Sequence, residues 1–242
     1  ERRRRRRRNV DEGQQSDDMI EYRAGDARDA RVVAEVLAGG NYTGVIHCIG
    51  LLFDEGSGLA RFNKLVSGSN SIPDSESTYD SITRLTAFNA IDAAERYVRS
   101  RSEGNPPRRP LPFAFMSAAE AGWPDVRGGN FVESNLTPRW MRRYLRSKRD
   151  VEERLLGRYG RTADGTTLLL RPVVFRPSLI FSLDRPVSLA PVAAFFAGSA
   201  AGLPFVDRPV SVQALGCAVV RAMGREDVTG VLGYREINDL SQ

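Results

Sequence analysis

Tyr144 and Lys148 lie four residues apart in Tyr144-Leu145-Arg146-Ser147-Lys148. On a helix that spacing projects a phenol and an ammonium from the same face. A cation beside a phenol lowers its pKa, so the pair is a candidate general acid/base. With seven tyrosines and two lysines in 242 residues, such a pairing is rare by chance. The competing reading is a solvated cationic face, because Arg139, Arg142, Arg143, Arg146 and Arg149 flank the pair. The stripe Met141, Tyr144, Lys148, Val151 and Leu155 predicts that the pair turns inward, toward the C-terminal ends of strands, while most of the arginines face out. His47 is the single histidine and Cys48 and Cys217 are the two cysteines, which argues against a metal site and against a disulfide framework. His47 and Cys48 read as buried strand and pocket-wall residues.

The net charge of +5 is misleading, since Glu1 and the arginines 2–8 supply +6 and the rest of the chain sums to −1. No basic surface remains to dominate a nucleic-acid interface, and nucleic acid is not an expected partner. The basic N-terminal segment reads as a solvated loop, with an anion-facing role as the alternative. Val187–Val206 carries no charge over 20 residues, but Pro191, Pro204 and its small residues dilute its hydropathy. It is expected to be a buried helix and turn, with an interfacial helix as the alternative, and no transmembrane span is expected.

The elements that must position the pair alternate between strand and helix. Met19–Arg23 reads as a short strand and Ala30–Leu37 as a helix stopped by Gly39-Gly40. Gly44–Ile49 is a continuous apolar run, expected to be a central strand buried on both faces. Residues 54–78 are rich in Gly and Ser and read as a surface insertion with few contacts to the sheet. Tyr79–Val98 is a helix and Pro112–Met116 a strand. Thr137 and Pro138 then cap a helix reaching Leu156. Thr167–Leu170 with Val173–Phe175, and Gly230–Tyr234, are strand material, and Val212–Met223 is a helix. This alternation predicts a doubly wound, parallel α/β sheet. Its expected organisation is a basic segment (1–18), a Rossmann-like domain (19–177) and a small C-terminal substrate or docking subdomain (178–242).

Several segments together resemble the extended short-chain dehydrogenase/reductase family. The Tyr144/Lys148 pair corresponds to that family's acid/base pair, and Phe113–Ser117 to the strand whose end carries its hydroxyl residue, with Ala118 as the alternative position. The run GVIHCIG resembles the strand whose tip meets adenine and ribose. Gly25-Asp26-Ala27 resembles the strand end that contacts the adenine amino group, and Phe175-Arg176-Pro177 the step near the nicotinamide. More narrowly, VIHCIGLLFDEGSG, STYDSITRLTAFNAIDAA, FAFMSAAE, YLRSKRDVEERLL, FRPSLIF and GVLGYREI are similar to atypical members associated with the mitochondrial coenzyme Q synthesis complex. A more distant likeness is to the accessory subunit of respiratory complex I that shares this fold.

The resemblance implies an NAD(P)-binding Rossmann-like fold with NAD or NADP as cofactor. It implies Tyr144, Lys148 and Ser117 as catalytic residues, and Asp26, Ala27, Cys48, Ile49, Gly50, Lys148 and Pro177 as cofactor contacts. Two departures stand beside it. Thr83 occupies the position where extended members carry Asn, and the glycine-rich phosphate loop of the first strand–helix unit has no equivalent, so that unit is expected to be lacking from this chain. Two functions follow from the resemblance. One is an accessory or docking subunit of an organellar membrane complex linked to quinone metabolism or electron transfer. The other is an NAD(P)-dependent oxidoreductase or epimerase-type enzyme acting on an apolar, quinone-precursor-like substrate. The implied partners are protein subunits of that complex and a quinone-like or lipid ligand. The implied location is the matrix side of the mitochondrial inner membrane, or a plastid.

Overall fold

The computed structural model describes residues 20–63, 72–102, 109–157, 169–182, 189–201 and 205–242. A four-stranded, fully parallel sheet is built from β1 (Val45–His47), β2 (Leu111–Met116), β3 (Leu170–Phe175) and β6 (Gly230–Leu232), side by side in that order. Helix α1 (Ala30–Ala38) precedes β1, and α2 (Thr86–Arg101) follows a π-helical entry, Tyr79–Leu85. Beyond β2 come a 3₁₀ turn at Ala119–Asp125, α3 (Gly129–Asn135) and α4 (Arg139–Leu156). A two-stranded parallel pair, β4 (Ile180–Phe181) and β5 (Val210–Ser211), lies apart from the main sheet, and α5 (Leu189–Ala200) lies between its strands in sequence. Helices α6 (Val212–Gly224) and α7 (Tyr234–Ser241) complete the chain.

The alternation of β2 explains the two cores. Phe113 and Phe115 enter one face with Ile91 of α2 and Val151 and Leu155 of α4. Ala114 enters the other with Val173, Phe175, Leu215 and Ala218 of α6, and Ile237 of α7. Both faces of the central strands are therefore dry, the usual condition of a parallel sheet. The mixed α/β, parallel architecture agrees with the sequence reading.

Several details correct it. Described residues 20–26 form no strand and are exposed. The GVIHCIG run contributes β1, but as an edge strand: among the described residues it pairs with β2 alone. Helix α6 covers β2 on the face toward which Ile46 points, leaving Ile46 48% exposed while His47 is buried. The described parts of the 54–78 stretch are tied down better than their composition suggests. Asp54 and Asn63 are buried, Asn63 Nδ2 donates to Phe53 O at 2.5 Å, and Phe53 meets Trp140 of α4 edge-on at 4.9 Å. Thr137 does not cap α4; its hydroxyl donates back to Val132 O, and Pro138 takes the cap position. On α5, Ala193, Phe196, Ala197 and Ala200 are exposed, so this face of the uncharged helix is not buried as expected. No helix among the described residues is long and apolar enough to cross a membrane. Beyond Ser178, β6 and α6 return to the main sheet and its core.

Candidate active site

Helix α4 carries the site, and its axial position is fixed by charge pairs set against buried Leu145, Val151 and Leu155. Glu152, 4% exposed, accepts from Arg176 Nε at 3.0 Å and Nη2 at 2.6 Å, which clamps α4 to the end of β3. Arg149 donates to Glu133 at 2.5 Å and to the Ala121 carbonyl at 3.0 Å, which joins α4 to α3 and the 3₁₀ turn. Both arginines are absorbed structurally. Arg139, Arg143 and Arg146 face outward as expected.

Lys148 points across the end of β2. Its ammonium donates to the Met116 carbonyl at 2.6 Å and lies 5.0 Å from the Phe115 ring centroid and 5.7 Å from that of Tyr144. Burial lowers its pKa from the usual lysine value to about 8, against the opposing pull of Glu152 and Cys48. Tyr144 packs with Ala118, Ala121, Leu145 and Trp123, and its ring meets that of Tyr79 edge-on at 5.8 Å. The phenol is driven above the ordinary tyrosine range by burial, then by the Glu120 charge and by Tyr79. This corrects the expectation that Lys148 lowers it. The ammonium is engaged by the Met116 carbonyl, and desolvation outweighs whatever attraction remains. Tyr144 is therefore a neutral phenol near neutral pH.

Three buried polar atoms beside this pair have no partner among the described residues: Ser117 Oγ, Thr83 Oγ1 and His47 Nδ1. Ser117 is fixed through its backbone, which donates to Phe175 O at 2.8 Å, while its buried hydroxyl has no hydrogen-bond partner among the described residues. Thr83 is fully buried in the π-helical entry to α2. His47 Nε2 shares a 3.1 Å hydrogen bond with Thr86 Oγ1; burial, then Lys148, depresses its pKa to about 4. It is the satisfied strand histidine the sequence suggested on one ring nitrogen only.

The expected cofactor contacts divide. Cys48, Ile49 and Gly50 form the exposed tip of β1, and a side chain at Gly50 would place its Cβ 3.3 Å from Lys148 Nζ. The bare glycine leaves room beside the ammonium for a hydroxylated group. Pro177 is buried at the end of β3, its carbonyl accepting from Ala119 N at 2.9 Å. Asp26 and Ala27 are engaged with their own neighbours. Asp26 is exposed and paired with Arg28 at 2.8 Å, and the Ala27 carbonyl accepts from Asn89 at 3.0 Å. The cap of α1 is Asp29, which accepts from Arg31 N.

Lys148 Nζ lies beside Gly50 at the end of β1 and donates to the Met116 carbonyl next to Ser117, so the polar groups a ribose would need are gathered near these strand ends. Among the described residues no glycine-rich turn faces the site, and α1 begins with a carboxylate, Asp29, at its N-terminus. Among the described residues no cluster of His, Cys, Asp or Glu could hold a metal. Sequence reasoning missed Tyr79, Glu120 and Glu152. Their roles come from tertiary packing, and only the i, i+4 spacing of Glu152 from Lys148 gave any sign.

No protein-family model and no curated protein sequence matches the chain. Solved structures do match in fold. NADP-bound ElxO is 12% identical, with a TM-score of 0.50 over 86% of this chain and 73% of that one. A short-chain type dehydrogenase/reductase from Mycobacterium ulcerans is 16% identical, with a TM-score of 0.50 over 88% and 68%. Pal from Bacillus thuringiensis is 15% identical, with a TM-score of 0.50 over 89% of this chain and 64% of that chain. At such identities the likeness concerns the fold: the chain has the Rossmann-like architecture of these proteins.

Proposed function

We propose that the chain is a short-chain dehydrogenase/reductase-type protein that binds NADP or NAD and reduces a carbonyl group, with Tyr144 as the proton donor. What supports this reading is Lys148 donating to the Met116 carbonyl at the end of β2, beside the unpartnered Ser117 hydroxyl, with Tyr144 packed against Ala118 next along the chain. The NADP bound by a protein of the same fold supports the choice of cofactor. When bound, the nicotinamide supplies reducing equivalents. The residues of this chain do the rest. Lys148 and the β1 tip hold the ribose side, Ser117 hydrogen-bonds the substrate oxygen, and Tyr144, neutral in its buried pocket, delivers a proton to that oxygen.

A second reading is an accessory subunit docked in an organellar membrane complex linked to quinone chemistry, in mitochondria or plastids. The exposed edge of β1, with Ile46 and Ile49 at 48% and 42% exposure, favours it. One experiment separates the two. NADPH consumption by the full chain is measured over a panel of ketones and quinones, with Tyr144→Phe as the control. The enzyme reading expects turnover that falls at least about 100-fold in the variant, the usual worth of a positioned acid. Absence of turnover in both proteins, with membrane-complex assembly in cells unaffected by Tyr144→Phe, leaves the docking reading.

A further inference from the structure

Three large apolar side chains stand out from the surface on and beside the short helix α3. Val126 is 52% exposed, Phe131 64% and Leu136 69%. One exposed apolar residue is ordinary; a cluster rimmed by polar groups marks a contact surface. The backbone holds the cluster in place, since Gly129 N donates to Val126 O and Leu136 N to Val132 O, both at 2.9 Å. The same face is basic. Arg142 donates to the Ser134 carbonyl at 3.3 Å, which seats the start of α4 against the exposed side of α3. Arg127 and Arg139 are exposed on either side of α3 in the chain. None of these three arginines forms an ion pair among the described residues, and the carboxylates at hand are taken. Asp125 and Glu152 pair with Arg176, Glu133 with Arg149 and Asp54 with Arg143. No acidic residue lies in the first turn of α4 to offset them. The excess is local, because the chain beyond its first eight residues sums to −1.

We propose that α3 and the start of α4 seat the protein on the surface of an anionic lipid bilayer. Val126, Phe131 and Leu136 enter the boundary between headgroups and acyl chains, and Arg127, Arg139 and Arg142 meet lipid phosphates. A phosphate offers the two acceptor oxygens that a guanidinium fork matches, and supplies the negative charge that the neighbouring carboxylates do not. A protein partner would have to bring a shaped pocket for each of three side chains that stand separately. A bilayer takes them wherever they stand. The proposal is independent of the reductase reading, because it concerns the outer face of α4 and Tyr144 lies on the inner one.

The test is sedimentation of the full chain with vesicles of phosphatidylcholine alone and of phosphatidylcholine mixed with phosphatidylglycerol. The arginines 2–8 attract anionic surfaces on their own account, so each measurement is repeated in a full-length chain with those arginines replaced by glutamine. In that background the expected result is binding to the mixed vesicles and much weaker binding to phosphatidylcholine alone. Phe131→Ser/Leu136→Ser weakens binding to the mixed vesicles at least about tenfold, and Arg139→Gln/Arg142→Gln does so by a similar factor. Added salt removes the part that depends on the arginines and spares the part that depends on Phe131 and Leu136. The substituted groups lie at the surface, so the variants should melt close to their parent, which separates a lost contact from a lost fold. Equal binding to the two vesicle types, no binding once the arginines 2–8 are replaced, or unchanged affinity in either double variant would each overturn the proposal. Retention on immobilised polyglutamate that Arg139→Gln/Arg142→Gln abolishes, without vesicle binding, would assign the face to an acidic protein instead.

Discussion

At the residue scale, burial decides more of the chemistry than proximity of charge. Tyr144 and Lys148 were legible from their spacing, but the electrostatic relation between them was not. A helix wheel shows which groups share a face; it does not show that a backbone carbonyl, here that of Met116, captures the ammonium. His47 shows the same principle in a form open to direct test, because it is the single histidine of the chain. Its folded pKa of about 4 lies below the ordinary imidazole value, so the unfolded chain binds the extra proton first. Stability from this residue is complete above about pH 6.5 and falls as pH drops toward the folded value, by about 3 kcal/mol in all. Chemical denaturation from neutral to acid pH should show this slope in the native chain and lose it in His47→Gln. An imidazole signal that titrates at an ordinary pH in the folded protein would contradict the assignment.

At the element scale, the strongly periodic helices and the apolar strands were readable, and what they pack against was not. Ala30–Leu37 and the helix through Leu156 carry their own spacing and stop signals. The β1 run is just as apolar as a central strand. Its place at the edge depends on what other segments cover, which no local pattern records. In the 53–63 segment Asn63 bonds Phe53 and Ala60, while Asp54 and Phe53 reach Arg143 and Trp140 of α4, contacts that local composition does not record. The position of α4 against β3 depends on the Glu152–Arg176 clamp, and replacing one partner leaves a buried carboxylate uncompensated. Arg176→Met should destabilise the fold by about 3 kcal/mol in denaturant titration. The Glu152→Met/Arg176→Met double variant should recover much of that loss, since no buried charge remains. Additive losses in the double variant would show that the clamp is not a coupled pair.

At the scale of the whole molecule, the α/β class followed from alternating elements, and four parallel strands with helices on both faces bear it out. The site lies where such sheets place ligands, at the carboxyl ends of the strands. Asp26 and Ala27 entered the expected cofactor contacts through the resemblance alone; in the structure Asp26 pairs with Arg28 and the Ala27 carbonyl accepts from Asn89. The account stands on Lys148 lying next to a bound nucleotide, and the composition makes this measurable: Lys64 and Lys148 are the two lysines of the chain. Selective ¹³C labelling at lysine Cε gives one NMR signal for each, assigned by a Lys64→Arg variant. The account predicts that the Lys148 signal titrates near pH 8, far below an ordinary lysine, and shifts when NADPH is added while that of Lys64 does not. A Lys148 signal with an ordinary lysine midpoint, indifferent to NADPH, would contradict it.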